Sequence, residues 1–251
     1  PFYNNPNEQL IDEFIPVNMK KMQNYKYRFA TLKKITKIES DVLLNPNIAR
    51  TPIMDEIVML SKSKNKIGFT KNKDTIFSRY VDLYYTQLIV AKNPIPHEIM
   101  VYRDYFIKLG FNLDDTLSMR LKWYQEDIDK VNHEVDTDEK FIIISPISGN
   151  SYKDWPFEKF NELTSKLIAD GNRVYLSGSD EQHSRIESEM SAVIEKGAIN
   201  ISGLFSLRQT AYLISKSALI IGNDSMAVHM AVATESKSVC ILPGQEYGRF
   251  F

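Results

Sequence analysis

Two polar clusters in this chain have residue types and spacing that suit chemistry, and each stands where an apolar run gives way to a helical pattern. The first lies between Ser145 and Trp155. Ser148, Gly149 and Asn150 can bring a hydroxyl, an amide and bare backbone N–H groups close to a phosphate, and Lys153 adds a mobile positive charge. The same residues also suit an ordinary polar loop with Trp155 packed under the next helix. The second cluster is Asn223, Asp224 and Ser225, with His229 one helical turn further on. Ser225 is placed to cap a helix and leave the N–H groups of Met226 and Ala227 for an anion. A phosphate there repels Asp224, which is better suited to orienting the loop or holding a sugar hydroxyl. His229 equally suits a hydrogen-bonded core position. His97, His133 and His183 stand apart from it, so no metal-ligand spacing emerges.

Two weaker candidates follow. In the segment Gly178 to Glu181, Glu181 can accept bonds from ribose hydroxyls. On the bland reading Asp180 is a helix cap and Glu181 a first-turn acid favoured by the helix dipole. The other is a basic stretch, Lys20, Lys21, Lys26, Arg28, Lys33, Lys34 and Lys37, interleaved with Tyr25, Tyr27, Phe29, Leu32 and Ile35. A basic amphipathic helix can lie on an anionic membrane or meet an acidic acceptor, and it can also be a plain solvated face.

The elements that must position these residues are clearest in the second half. Apolar runs at 141–145, 173–177, 198–201, 218–222 and 239–242 read as strands. Between them, Pro156 starts a helix with Phe157, Phe160, Leu163 and Leu167 at helical spacing, and Gly171 ends it. Ile186, Met190 and Val193 share a face of the next helix. Ser206 and Gln209 form a capping box for a helix running through Ile214. Strands alternating with helices imply right-handed crossovers and a parallel α/β sheet. In such sheets ligands bind beyond the carboxyl ends of the strands, where both main clusters fall. The first half gives strands at 41–45 and 66–69, a helix near 52–63 and another near 96–109. The charged, weakly periodic stretch 112–140 reads as the junction. It divides the chain into an N-terminal domain, 1–135, and a C-terminal domain, 136–251.

A chain of 251 residues with 43% apolar and 25% charged residues is that of a soluble globular protein of one large or two ordinary domains. Its net charge of −1 gives no global pull toward nucleic acid. No apolar run approaches the ~18 residues that cross a membrane. The single cysteine, Cys240, falls inside an expected buried strand, which excludes an internal disulfide and a cysteine metal cluster and fits a reducing, cytoplasmic setting. No secretory signal is visible. The chain opens on Pro1 and stops just after a strand, so both ends read as cut from a longer protein.

The order of several motifs resembles glycosyltransferase family 9, the family of the ADP-heptose:lipopolysaccharide heptosyltransferases. They are Lys153 to Pro156, Leu176 to Gly178, Ser206 to Gln209, Ile221 to His229 and Pro243 to Phe250. A looser likeness runs from Asp12 to Gly110. The resemblance implies a GT-B-like fold: two Rossmann-like domains with parallel sheets facing a cleft, both incomplete here. The donor would sit on the C-terminal domain and the acceptor on the N-terminal one. It implies that Ser148 to Lys153 meets the donor diphosphate, with Lys153 stabilising the leaving group. Gly178 and Glu181 fall near the ribose, Phe205 beside the adenine, and Asp224, Ser225, Met226 and His229 in the sugar- and phosphate-binding segment. It further implies an inverting, metal-independent transfer of a heptose-like sugar from ADP to a lipid-linked saccharide of the lipopolysaccharide core or a related surface glycan. The setting it implies is the cytoplasmic face of the inner membrane, with peripheral membrane contact, no cofactor and no nucleic acid. Two departures stand out. Met226 replaces a glycine common in the family, and the chain holds no Gly-Asp pair, the family's place for the catalytic base. A non-hydrolysing epimerase of similar fold and a non-catalytic nucleotide-binding relative stay open as alternatives. An epimerase needs no acceptor.

Overall fold

The computed structural model describes residues 13, 15–70, 76–90, 97–113 and 121–244. They fall into two compact units, Asp12–Leu117 and Ser118–Tyr247. The closing motif from Gln245 to Phe250 lies outside the described residues.

In the first unit, chain order is α1 (Tyr25–Ile35), β1 (Val42–Asn45), α2 (Pro52–Leu60), β2 (Asn65–Phe69), α3 (Ile76–Asp82), β3 (Gln87–Ile89) and α4 (Glu98–Lys108). The three strands form a parallel sheet in the order β1-β2-β3, with Leu44 opposite Ile67 and Phe69 opposite Ile89. Side chains alternate across a strand. Phe69 and Ile89 therefore pack with Val101 and Tyr105 of α4, while Leu43 and Leu88 pack with Val58 of α2 and Val81 of α3. Thr51 caps α2 by accepting from the Met54 N–H, and Pro52 stands just inside the helix, where its missing N–H costs nothing. Sequence reading missed α3 and β3, because the strand has only three residues and Ile76 and Leu83 are exposed.

A buried ionic cluster gathers at the carboxyl ends of these strands. Arg50 Nε donates to Asp55 Oδ1 at 2.8 Å, and its Nη1 donates to Asp82 Oδ1 at 2.5 Å and to the Phe69 carbonyl at 3.2 Å. The guanidinium carbon stands 4.5 Å from the centre of the Tyr85 ring. Tyr85 in turn accepts from Asn45 Nδ2 at 2.8 Å. Burial alone lowers the guanidinium pKa, but the two carboxylates more than offset it, so the pKa lies above its ordinary value. Gly68 makes room for Tyr85, since a Cβ there would stand 2.4 Å from the ring.

The second unit runs α5 (Gln125–Glu134), β4 (Phe141–Ser145), α6 (Phe157–Ala169), β5 (Arg173–Leu176), α7 (His183–Glu189), α8 (Ser191–Ile194), β6 (Ile199–Asn200), α9 (Leu207–Lys216), β7 (Leu219–Asn223), α10 (Met226–Ala233) and β8 (Ser238–Ile241). All five strands are parallel, in the order β6-β5-β4-β7-β8. The chain leaves β4 for one edge and returns to β7 on β4's other side, so the switch point lies between β4 and β7. β4 is buried on both faces. Phe141 and Ile143 pack with α5, α9 and α10, and Ile142 and Ile144 with α6, α7 and α8. This explains its unbroken apolar run.

Two expectations need correction here, the domain boundary and the burial of Cys240. The boundary falls near 117 rather than at 135/136, because α5 belongs to the second unit. Its apolar stripe, Ile128, Val131 and Val135, packs against α9, and burying each valine stabilises that docking by about 1.5–3 kcal/mol. Cys240 is only half-buried, because β8 is the edge strand of the sheet. Pro156 takes the cap position itself, one residue before α6, and Gly171 follows the helix with φ +82°.

Candidate functional site

The loop after β4 and the turn after β7 meet at the switch point, and Asn223 ties them together. This fully buried side chain donates to the Pro146 carbonyl at 2.6 Å and accepts the Trp155 N–H at 2.9 Å. Asp154 Oδ1 accepts the Ser148 N–H at 2.7 Å, which curls the loop back on itself. Ser148 Oγ donates to the Asn150 carbonyl at 2.8 Å and receives the Asn150 N–H at 3.2 Å. Trp155 packs edge-on against Phe160, ring centres 5.0 Å apart, and anchors the loop's far end. β7 can lie this close to β4 because residue 222 is glycine. A Cβ there would stand 2.7 Å from the Ser145 carbonyl oxygen.

This scaffold brings Lys153, Asp224 and His229 together. Lys153 Nζ donates to Asp224 Oδ2 at 2.6 Å, and His229 Nε2 lies 3.3 Å from Asp224 Oδ1. The side chains of Asp224 and Lys153 are 5% and 18% exposed, so the pair is largely withdrawn from water. His229 is half-exposed and faces the carboxylate, which sets aside its reading as a core histidine. Nearby, burial and the Asp224 charge push the Cys240 thiol up to about 11 against the opposing pull of Lys153, so it carries no thiolate at neutral pH.

Beside this cluster opens a cavity of about 480 Å³. Of the residues singled out from sequence, Ser148, Gly149, Gly178, Phe205, Ser225 and Met226 line it, whereas Asn150, Lys153, Glu181, Asp224 and His229 do not. One end is the start of α10, where the N–H groups of Met226 and Ala227 have no acceptor within their own helix. Ser225 holds the cap position, but its hydroxyl makes no capping bond. The Oγ is buried without a hydrogen-bond partner, contrary to the expected cap. The other end is walled by Gly178, Asp180, Phe205 and Ser206.

Glu181 stands outside the cavity. Ser179, not Asp180, takes the capping position, with its N–H donated to Gln182 Oε1 at 2.9 Å. That turn leaves Glu181 exposed, its carboxyl held below the usual range by its own backbone N–H and by Ser179. Asp180 is the acid that faces the cavity. It stands so close to Gly203 that a Cβ on that glycine, already at φ +77°, would come 2.8 Å from the Asp180 Cα. Thr210 and Met230 complete the wall and were passed over, because nothing in their spacing distinguishes them from helix-face residues. The Ser206–Gln209 capping box forms as expected and presents Ser206 to the cavity.

The sequence pattern of "Glycosyltransferase family 9 (heptosyltransferase)" matches residues 56–245. Lipopolysaccharide core heptosyltransferase OpsX of Haemophilus influenzae is 25% identical over 201 residues, 79% of this chain and 56% of that protein. Lipopolysaccharide heptosyltransferase 2 of Salmonella typhimurium is 30% identical over 92 residues, 36% of this chain and 26% of that one. The chain thus spans little more than half the length of OpsX and about a quarter of the second relative. Among solved structures, a family 9 glycosyl transferase from Veillonella parvula superposes with a TM-score of 0.70 at 15% identity, covering 90% of this chain and 66% of that one. The E. coli heptosyltransferase WaaC with ADP-2-deoxy-2-fluoro heptose gives 0.64 at 17% identity, covering 90% and 71%. These structural likenesses are likenesses of fold, and with the two parallel α/β units they establish the GT-B-like class.

Proposed function

Because the chain belongs to glycosyltransferase family 9, we propose that it serves an inverting transfer of a heptose-like sugar from an ADP-linked donor to a saccharide of the lipopolysaccharide core or a related surface glycan. The observation that carries this reading is the switch-point cavity. One end offers the start of α10, the partnerless Ser225 hydroxyl and the adjoining Lys153–Asp224 pair. The other offers Asp180 for ribose hydroxyls and Phe205 for a base. In this reading a base in the complete protein deprotonates the acceptor hydroxyl, which attacks the anomeric carbon from the face opposite the diphosphate. The leaving diphosphate gains charge as its bond to the sugar breaks. Lys153, the Met226 and Ala227 N–H groups and the α10 dipole meet that charge with the protein's own groups. No resident cofactor or metal takes part in this scheme.

A panel of nucleotide sugars tests the donor. At about 100 times its Kd, an ADP-sugar stabilises the folded protein by about 2.7 kcal/mol and raises the melting temperature by roughly 5–10 °C. UDP-, GDP- and CDP-sugars at the same concentration leave it nearly unchanged. Selective stabilisation by a UDP-sugar contradicts the ADP assignment.

The acceptor in this reading is lipid-linked and presented at the cytoplasmic face of the inner membrane. No helix among the described residues is long and apolar enough to cross a bilayer, and the contact we propose is peripheral. It falls on α1. The chain from Asn18 to Lys37 carries seven basic residues and no acidic one. Tyr25 and Phe29, one turn apart, are 74% and 69% exposed, beside the exposed Lys26 and Lys33. Aromatic rings flanked by lysines suit an anionic headgroup layer, where each cation near the surface contributes about 1 kcal/mol. The protein should co-sediment with phosphatidylglycerol-rich vesicles and not with phosphatidylcholine ones, and K26E/K33E should release it. Equal binding to both vesicle types contradicts the assignment.

A further inference from the structure

We propose that Asp224 acts as an internal competitor for Lys153, so that the site discriminates a sugar-bearing diphosphate from the bare nucleoside diphosphate left after transfer. The proposal rests on the donor reading above and adds to it a device for releasing product.

The argument begins with which partner can move. Asp224 is held from both sides. Its N–H donates to the Ile241 carbonyl at 3.3 Å, and the preceding Asn223 is bonded at both ends of its amide. Lys153, in contrast, closes a single 3-10 turn, Ser151–Lys153, and carries its charge on a flexible four-carbon stem. In the protein as described, that ammonium is occupied by Asp224 Oδ2 at 2.6 Å. A diphosphate arriving at the start of α10 brings more negative charge than one carboxylate and draws the ammonium away.

The exchange leaves a cost behind. The Asp224 side chain is 5% exposed, and a buried carboxylate that gives up its ammonium partner is disfavoured even with His229 Nε2 still 3.3 Å from its Oδ1. Asp224 also directly precedes Ser225, which lines the cavity, so it sets charge of the same sign beside the incoming phosphates. A donor whose sugar hydroxyls reach Asp224 supplies new hydrogen-bond donors to that carboxylate and offsets the loss. A nucleoside diphosphate, with no sugar, does not. Asp224 therefore weakens the product more than the donor, and the Lys153–Asp224 pair re-forms as the product leaves.

Calorimetric titration of the folded protein with ADP, AMP and ADP-heptose tests this. The unaltered protein should bind ADP at least tenfold more weakly than ADP-heptose. Asp224→Asn should tighten ADP about tenfold, tighten ADP-heptose far less, and leave AMP, which lacks the second phosphate, little changed. Asp224→Ala serves as a second variant that removes the charge without adding an amide. The comparison of ADP with ADP-heptose on the unaltered protein needs no variant at all. If the unaltered protein binds ADP as tightly as ADP-heptose, or if both variants bind ADP no more tightly than it does, the exchange is overturned while the donor pocket stands. If the unaltered protein binds neither nucleotide, the donor reading fails and the exchange fails with it.

Discussion

Under the proposed function, replacing Lys153 with methionine should lower sugar transfer by about 100- to 1000-fold while weakening donor binding only about tenfold. Lys153 is joined to the start of the β7–α10 turn through Asp224 Oδ2 at 2.6 Å. In the proposed transfer its charge is needed most when the sugar–phosphate bond breaks and the diphosphate gains charge, more than in the ground state, where α10's N–H groups and Ser225 would already contribute. An interaction that strengthens in the transition state raises turnover rather than affinity. Lys153→Arg keeps the charge and should recover part of the rate. Steady-state kinetics with saturating acceptor, beside equilibrium donor binding, separates the two effects. Equal losses in turnover and affinity contradict the leaving-group role.

The second large effect is on stability, in the other unit. Arg50→Met should destabilise the fold by about 3–5 kcal/mol, read as a shift of the urea unfolding midpoint. The Arg50 and Asp55 side chains are both 0% exposed, and Arg50 connects Asp55, Asp82 and the Phe69 carbonyl. Removing it leaves a fully buried carboxylate without its cation, which costs far more than the loss of an exposed ion pair. The cluster also closes the carboxyl ends of β1 and β2, so its loss reaches α2 through Asp55 and α3 through Asp82. The double variant Arg50→Met with Asp55→Leu should recover much of the loss, since it removes the stranded charge as well. A single-variant loss below about 1 kcal/mol contradicts this account.

The chemistry was legible in sequence where residue type and local spacing decide the structure, and illegible where tertiary pairing does. The run from Phe141 to Ser145 could be read as a strand because both faces of β4 are buried, so no polar alternation interrupts it. The Ser206–Gln209 box could be read because both its bonds are local. In contrast, α5 was hidden. Its polar residues dominate, and its stripe of Ile128, Val131 and Val135 acquires meaning only against α9. The run at 239–242 could be read as a strand, but not its place at the sheet edge, which leaves Cys240 half-buried, since edge position follows from strand order and not from the apolar run itself.

The site divides the same way. Ser148, Gly149, Ser225 and Met226, singled out for their place after strands, line the cavity, and so does Phe205, which only the family resemblance had pointed to. The choice between Asp180 and Glu181 turned on one residue of helical phase, set by the Ser179–Gln182 turn. The pairing of Lys153 with Asp224, 71 residues apart, follows from β4 and β7 being neighbours at the switch point. Local pattern carries no trace of that pairing. Neither does it reveal the Arg50 cluster, whose members come from a loop, two helices and the ends of two strands.

The most direct test of the central claim is acceptor-dependent release of nucleoside diphosphate. The protein is incubated with ADP-heptose, with and without a glycolipid acceptor lacking its terminal sugar. We predict that ADP appears only when both substrates are present, and that the new glycosidic bond has the anomeric configuration opposite to the donor's. Donor consumed at the same rate without acceptor, or a product that keeps the donor's configuration, contradicts the account.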